Sequence, residues 1–426
     1  MLHVPAMIAS SVCFLSLVPL MGDAISDTRE MVQELADDIR GNYVFPEKGE
    51  QAAAYLLERA DEGAFDGLDD ERLAQRLTEE LRNVTEDLHF AVRPLPTNWR
   101  PQEFNDEGDL AQINQDPGHH GFMRIERMDG NIGYLKLDGF DQVDRARESA
   151  HAAMQLLSGS SALIVDLRNN GGGDPETVQL LTSYLFDPDE PVHLNSLYFR
   201  PTDETTEYWT HSDINAANAM PDVPVFVLTS GYTFSAAEEF SYNLRSLDRA
   251  TIIGERTGGG AHPVDGFVID SRLMVNIPVG RAINPITKTN WEGTGVEPHI
   301  SVPAPEALDA AIGKALEGLA EQGDENAQWG LIMHRAINTP IELSESQLEQ
   351  YAGQYTDREL MVEDGLLMYR RKGSPSWNRM IAVDEDRFII DGIGGFVMNF
   401  DRDPSGNITK IVGEYQQRHS DESARE

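Results

Sequence analysis

The hydrophobic residues of this chain change their spacing near residue 121. Before that point, three segments within residues 25–92 carry apolar side chains at steps of three and four residues, which predicts amphipathic helices. After it, short apolar runs such as residues 162–167 and 225–228 alternate with helical patterns. This alternation, continued over residues 121–319, predicts an α/β domain with a mostly parallel sheet.

The remaining segments differ from these in composition and in the pattern of apolar and polar residues. Residues 93–120 hold four prolines among polar residues, which predicts a linker or surface loop. Residues 341–417 alternate apolar and polar positions around Gly and Asp turns, and this predicts a compact antiparallel β module. The polar residues 418–426 are predicted to be a disordered tail.

Residues 1–24 form an apolar segment with no charged side chain before Asp23. The segment ends in small residues at Gly22 and Ala24, which is typical of a secretory signal peptide. A membrane anchor is the alternative, although Pro5 and Pro19 interrupt the run. The prediction is therefore an exported protein, periplasmic or secreted.

Composition excludes several classes of function. The formal net charge of −38 argues against nucleic acid and against an anionic membrane surface as partners, and it indicates an acidic, soluble surface. Cys13 is the only cysteine and lies in the predicted signal peptide, so the mature chain has neither disulfides nor a thiolate nucleophile. The pair His119–His120 lacks a third ligand at a typical spacing. Neither a metal nor another cofactor is expected.

Ser235 is the first candidate for chemistry. It follows the apolar run 225–228 and begins an amphipathic helical pattern. The first amides of a helix are unpaired and the helix dipole is positive there, which suits a nucleophile whose reaction generates an oxyanion. The alternative is structural, because Ser235 and Glu238 also match a helix capping box.

A glycine-rich turn is the second candidate. Residues 168–173, Arg-Asn-Asn-Gly-Gly-Gly, connect a predicted strand to a predicted helix. Glycines at such a turn let backbone amides approach a ligand closely, as in phosphate sites and oxyanion holes. The motifs of nucleotide-binding loops are absent. An oxyanion hole and a plain tight turn remain the two interpretations.

Four motifs together resemble peptidase family S41, the group of the C-terminal processing and tricorn core proteases. They are ALIVDLRNNGGG at 162–173, VFVLTSGYTFSAAEEF at 225–240, IIGERTGGG at 252–260 and NWEGTGVEPHI at 290–300. The resemblance is strongest to the branch that contains the interphotoreceptor retinoid-binding protein repeats. It implies a ClpP/crotonase-like α/β core, here with an N-terminal helical module and a C-terminal antiparallel β module.

The resemblance also implies roles for particular residues. Ser235 would be the nucleophile, and the amides of Gly172 and Ala236 would form the oxyanion hole. His89 and Glu292 match the positions of the base and the acid in the tricorn-like type, although Leu88 stands where that type has a serine.

The positions of the lysines decide which of the two S41 types of base this chain can use. The processing-protease type uses a lysine in the loop that corresponds to residues 257–260, and this chain has no lysine between Lys136 and Lys288. A Ser-His-Glu site is chemically coherent, because imidazole titrates near neutrality and a carboxylate can orient it. Glu238 and Glu239 are closer to Ser235 in sequence and are alternatives to Glu292, but they are expected to be a cap and a helix-surface residue.

The sequence therefore predicts an exported serine endopeptidase that cleaves peptides or unfolded protein segments. The alternative is a non-catalytic binder of small apolar ligands on the same fold, as the retinoid-binding relatives imply. An α/β-hydrolase esterase is excluded, because the chain contains no Gly-x-Ser-x-Gly motif.

Overall fold

The computed structural model of this chain describes residues 28–95, 118–416 and 419–426. The predicted signal peptide and most of the predicted linker lie outside these residues. Within the described ranges, no helix is long and apolar enough to cross a lipid bilayer.

Three helices open the described chain: α1 (Thr28–Asn42), α2 (Pro46–Asp61) and α3 (Asp70–Thr85). Helix α3 begins where the Asp69 carboxylate accepts a hydrogen bond of 2.9 Å from the Arg72 amide, the usual role of an N-cap aspartate. The buried faces of the helices share one hydrophobic core with a small antiparallel sheet. The strands of that sheet are β1 (Ala91–Pro94), β10 (Leu273–Pro278) and β9 (Val264–Ile269). The helices are thus joined to a part of the chain far away in sequence.

The centre of the molecule is a six-stranded sheet in the order β12-β8-β7-β4-β3-β2. Only the edge pair β2–β3 is antiparallel, and the other neighbouring strands run parallel, so the predicted α/β class is confirmed. Its strands are β2 (Phe122–Met128), β3 (Ile132–Leu137), β4 (Ala162–Asp166), β7 (Val225–Thr229), β8 (Ala250–Gly254) and β12 (Ile300–Ser301).

Helices cover both faces of this sheet, as a parallel sheet requires. One face packs against α4 (Val143–Leu157), α5 (Pro175–Ser183) and α6 (Ala236–Ser246), and the other against α7 (Ala307–Glu321). The central strands β4 and β7 are parallel neighbours, with Asp166 opposite Leu228. The turns after these two strands therefore leave the same edge of the sheet, which is where ligands bind in open α/β sheets.

A second small antiparallel sheet lies beside the core. It pairs β5 (His193–Phe199) with β6 (Glu204–Trp209) on one side and with β11 (Gly280–Ile283) on the other.

The C-terminal region begins with α8 (Glu325–Asn338) and the short α9 (Glu345–Leu348). An eight-stranded antiparallel meander follows. Its strands are β13 (Gly353–Gln354), β14 (Arg358–Glu363), β15 (Leu366–Arg371), β16 (Asn378–Asp384), β17 (Arg387–Ile390), β18 (Ile393–Arg402), β19 (Ile408–Tyr415) and β20 (His419–Ala424).

The prediction of a disordered C-terminal tail is wrong for the residues that the structure describes. Strand β20 pairs with β19 along its length. Amide hydrogen bonds from Thr356 to the Ala424 carbonyl (3.0 Å) and from Glu426 to the Gln354 carbonyl (2.9 Å) then close the sheet on itself. Pairing both edges satisfies backbone groups that would otherwise be exposed, which is why such a polar segment forms a strand.

Candidate active site

Ser235 lies at the start of α6, directly after the turn that follows β7. Its backbone has φ 52° and ψ −123°, a region that residues with side chains rarely adopt and that the surroundings must enforce. The side chain is half-buried. Its place at a helix N-terminus and its forced backbone both distinguish it from an ordinary surface serine.

Glu238 holds this backbone in place. Its buried carboxylate accepts hydrogen bonds from the amides of Ser235 (2.9 Å), Gly259 (2.7 Å) and Gly260 (2.7 Å), and from the Thr257 hydroxyl (2.5 Å). Burial raises the pKa of Glu238, while these donors oppose the shift. Glu238 therefore ties the Gly259–Gly260 loop to the serine, and its oxygens are occupied by structural donors.

Glu239 is not the helix-surface residue that the sequence predicted. It is 5% exposed, and burial raises its pKa to about 7 although the amides of Asn195 and Asn243 favour its charged form. The periodicity of α6 alone does not show this, because strand β5, which carries Asn195, covers the face that would otherwise be exposed.

The glycine-rich turn packs against Ser235. A Cβ atom built on Gly172, whose φ is 114°, would lie 2.7 Å from the Ser235 Cβ and 3.1 Å from the Ala236 nitrogen. Any side chain at Gly172 would therefore collide with the serine. The Gly172 amide donates a hydrogen bond of 2.9 Å to the Asn170 side chain. The structure thus brings Ser235, Ala236 and the predicted turn together, with the Gly172 amide directed to Asn170.

His89 lies between α3 and β1, on the other side of the Gly259–Gly260 loop. Its ring contacts the ring of Phe234, the residue before Ser235, at a centroid distance of 4.7 Å. Among the described residues, neither ring nitrogen has a hydrogen-bond partner. A Cβ atom on Gly260 would lie 2.6 Å from His89 Cε1 and 2.1 Å from Phe234 Cζ, so only glycine fits between them.

Asp87 and His262 are two neighbours that sequence reasoning missed. The Asp87 carboxylate lies 2.6 Å from His262 Nδ1 and accepts a hydrogen bond of 3.3 Å from the Tyr43 hydroxyl. Its other oxygen accepts the His89 amide (3.0 Å) and lies 3.6 Å from His89 Nδ1. Burial alone would raise the pKa of Asp87, but the two histidines hold it well below its ordinary value.

Glu292 reaches this cluster from the loop after β11. One of its oxygens accepts the Ala261 amide (2.6 Å) and lies 3.4 Å from His262 Nδ1, and the other is buried without a partner among the described residues. Burial, and next the charge of Asp87, raise the pKa of Glu292 to about 7. The contacts of Glu292 therefore run to His262 and the Ala261 amide.

The loops that carry these residues also bind one another. The Trp291 indole donates to the Gly260 carbonyl (2.6 Å), and the Gly293 amide donates to the Gly259 carbonyl (2.9 Å). A cavity of about 1000 Å³ opens onto Asp87, His262 and Glu292. The ligand atoms of these three side chains lie within 4.8 Å of one another, a set that suits a transition metal in donor type. The close approach of His262 Nδ1 to Asp87, however, makes a hydrogen bond that such an ion would displace.

Comparison with known proteins identifies the family. The model of peptidase family S41 matches residues 131–302. The model of the N-terminal domain of S41 peptidases in eukaryotic interphotoreceptor retinoid-binding protein matches residues 25–118. The chain belongs to peptidase family S41. Ser235 and Glu292 lie within the first match, and His89 lies within the second.

Two curated relatives show the extent of the S41 similarity. The carboxyl-terminal-processing protease of Synechocystis is 32% identical over 161 residues, which are 37% of this chain and 34% of the relative. The chloroplastic carboxyl-terminal-processing peptidase 1 of Arabidopsis thaliana is 25% identical over 197 residues, 45% of this chain and 38% of the relative. The chain thus spans little more than a third of the length of these relatives.

A solved structure of a Parabacteroides merdae protein is also similar to this S41 chain. It shares 20% sequence identity with a TM-score of 0.49, and the match covers 68% of this chain and 96% of the other.

Proposed function

We propose that this protein is a serine endopeptidase that cleaves peptides or unfolded protein segments, with Ser235 as the nucleophile and His89 as the general base. The observation that carries the proposal is the backbone of Ser235. A residue with a side chain is held at φ 52° by a buried glutamate, at a helix N-terminus, with a glycine turn packed against it. A purely structural cap does not require such a conformation.

The chemistry follows from the neighbours of Ser235. The serine hydroxyl attacks the peptide carbonyl, its proton passes to a ring nitrogen of His89, and the proton then goes to the leaving amine. Both ring nitrogens of His89 lack partners among the described residues, so one is available to accept this proton. Amides at Ala236 and in the 171–173 turn would stabilise the negative charge on the carbonyl oxygen. Glu292 is the predicted acid of the Ser-His-Glu site.

The substrate class rests on the relatives. The two relatives are a carboxyl-terminal-processing peptidase and a carboxyl-terminal-processing protease, which favours a peptide or protein substrate here. We further propose export to the periplasm or the exterior, on the basis of the apolar segment 1–24.

Labelling with a fluorophosphonate probe, followed by mapping of the modified peptide, tests the assignment. We expect one modified residue, Ser235, and no labelling of Ser235→Ala. Ser241→Ala is the matched control, because Ser241 lies on the same helix and only donates to the Ala237 carbonyl; this variant should be labelled as the wild type is. Labelling that persists in Ser235→Ala would contradict the proposal. A folded wild-type protein that is not labelled at all would favour the non-catalytic binder.

A further inference from the structure

His89 requires an acid that the sequence did not identify. A base of this kind needs a carboxylate to fix its tautomer and to stabilise the cation that forms during the reaction. Glu292 was predicted for this task, but its contacts are with the Ala261 amide and His262. The carboxylate with a close approach to the His89 ring is that of Asp87, whose oxygen lies 3.6 Å from Nδ1.

Asp87 has the fixed orientation that such a partner needs. Its side chain is 2% exposed. Tyr43 and His262 donate to one carboxylate oxygen, and the His89 amide donates to the other. Because an ionised carboxylate only accepts hydrogen bonds, the geometry assigns a proton to His262 Nδ1. The hydrogen bond from the His89 backbone amide to Asp87 Oδ1 also sets the distance between that oxygen and the His89 ring.

We propose that Asp87 is the carboxylate that orients His89, and that His262 is a positioning residue that fixes Asp87. The inference rests on the proposed peptidase function and changes one of its members: Glu292 lies 3.4 Å from the same His262 nitrogen that bonds Asp87, instead of contacting His89. Two imidazoles are thus arranged on the two oxygens of one buried carboxylate, and only His89 takes part in proton transfer.

The proton moves in a balanced way under this arrangement. With Nδ1–H of His89 directed at Asp87, Nε2 is left to accept the proton from the Ser235 hydroxyl as the oxygen bonds to the substrate carbonyl. The imidazolium then donates that proton to the departing amine, and Asp87 remains ionised throughout. The 3.6 Å separation is too long for a hydrogen bond in the resting state. We expect it to shorten when the ring becomes charged, since charge-assisted bonds are about 2.7–2.9 Å long.

Four variants separate Asp87 from Glu292: Asp87→Asn, Glu292→Gln, His262→Ala and His262→Asn. For kcat on a peptide substrate, we expect Asp87→Asn to lose about 10³-fold or more, as when the acid of a serine triad is replaced by its amide. Glu292→Gln should lower kcat by less than about tenfold. Glu292 acts on His89 only through His262 and Asp87, so its replacement should displace the His89 ring only slightly. KM should change little in both variants.

The His262 pair tests positioning. His262→Ala should reduce kcat by about 100-fold, a typical cost of misplacing a catalytic group. His262→Asn should recover most of this loss, because the asparagine amide can donate to Asp87 from nearly the position of Nδ1. A general loss of stability would not be rescued in this way.

The pH profile gives a readout that a structural role would not change. The charged or titratable groups around the His89 ring are Asp87, His262 and Glu292. Tyr43 lies behind Asp87, and Glu238 lies behind the Gly260 amide. Asp87→Asn removes the nearest counter-charge of the imidazolium, so the acidic limb of kcat should move to lower pH by about one unit or more. Glu292→Gln should leave that limb nearly in place.

Two outcomes would overturn the inference while leaving the peptidase function intact. One is a loss of about 10³-fold in Glu292→Gln with Asp87→Asn within tenfold of wild type. The other uses Ser235→Ala with nitrogen-labelled histidine: NMR should show His262 as the Nδ1–H tautomer, and an Nε2–H tautomer would refute the assignment without any need for turnover. Absence of fluorophosphonate labelling in the wild type would instead refute the peptidase function itself.

Discussion

The carboxyl group of Glu239 gives a prediction that can be worked out from the structure alone. The residue is 5% exposed, and burial raises its pKa from 4.5 to about 7. In the unfolded chain the group titrates near its ordinary value. Between these two values the folded protein binds more protons than the unfolded chain. The free energy of unfolding must therefore fall as the pH rises from about 4.5 to about 7, and it then stays at the lower level.

The magnitude follows from the shift. Raising the pKa from 4.5 to about 7 corresponds to about 3 to 4 kcal/mol at about 1.4 kcal/mol per pH unit, and about 2 to 3 kcal/mol of this is lost between pH 5 and pH 8. Glu239→Gln keeps the shape of the side chain and removes its charge. We therefore compare the free energy of unfolding of the variant with that of wild type at each pH. This difference should be more favourable to the variant at pH 8 than at pH 5, by about 2 to 3 kcal/mol.

Urea unfolding at the two pH values, followed by tryptophan fluorescence and circular dichroism, measures this difference. The exposed Glu148 on α4 supplies the control, since Glu148→Gln should change stability by less than about 0.5 kcal/mol at either pH. The comparison between wild type and Glu239→Gln cancels the contribution of Glu292, whose pKa is also raised to about 7. If the two proteins show the same pH dependence, Glu239 does not titrate in the folded interior and the reasoning is refuted.

Two further predictions follow from the packing. Gly260→Ala should nearly abolish turnover and lower stability by about 1–3 kcal/mol, because its Cβ would lie 2.1 Å from Phe234 and 2.6 Å from His89. Peptide hydrolysis measures the turnover and urea unfolding measures the stability. A near-normal kcat would contradict the placement of His89. Deletion of residues 419–426 removes β20 and opens the C-terminal sheet. Limited proteolysis should then cut within residues 353–416 much faster than in the full chain. Unchanged protection would show that closure does not stabilise the sheet.

Local patterns in the sequence determined the candidate catalytic elements of the central domain. The strand, turn and helix around Ser235 follow from an apolar run, a break and a helical spacing, all within a few turns of chain. The glycine turn after β4 is predicted in the same way. Because both follow parallel strands, the alternation of strands and helices already implies that they leave the same edge of the sheet.

The surroundings of His89 were decided by the tertiary structure alone. Asp87 precedes His89 by two residues, and this acid is a visible signal in the sequence. Its role depends on His262, which is contributed by a loop after β8, and on Tyr43, which lies between α1 and α2. Glu292 likewise contacts His262 because a loop far away in sequence brings it there. Side-chain chemistry predicts which groups can pair, whereas the packing of distant loops selects the pair that forms.

The same distinction applies to burial and to sheet closure. The helical spacing of α6 does not show that strand β5 covers Glu239, and the polar composition of residues 419–424 does not show that they pair with β19. Periodicity describes one element and its nearest turns, so the sequence by itself determined the α/β order and the position of Ser235. Contacts between residues far apart in the chain decided the acid facing His89, the buried glutamate and the closed sheet, because the free energy of each depends on elements that no local pattern describes.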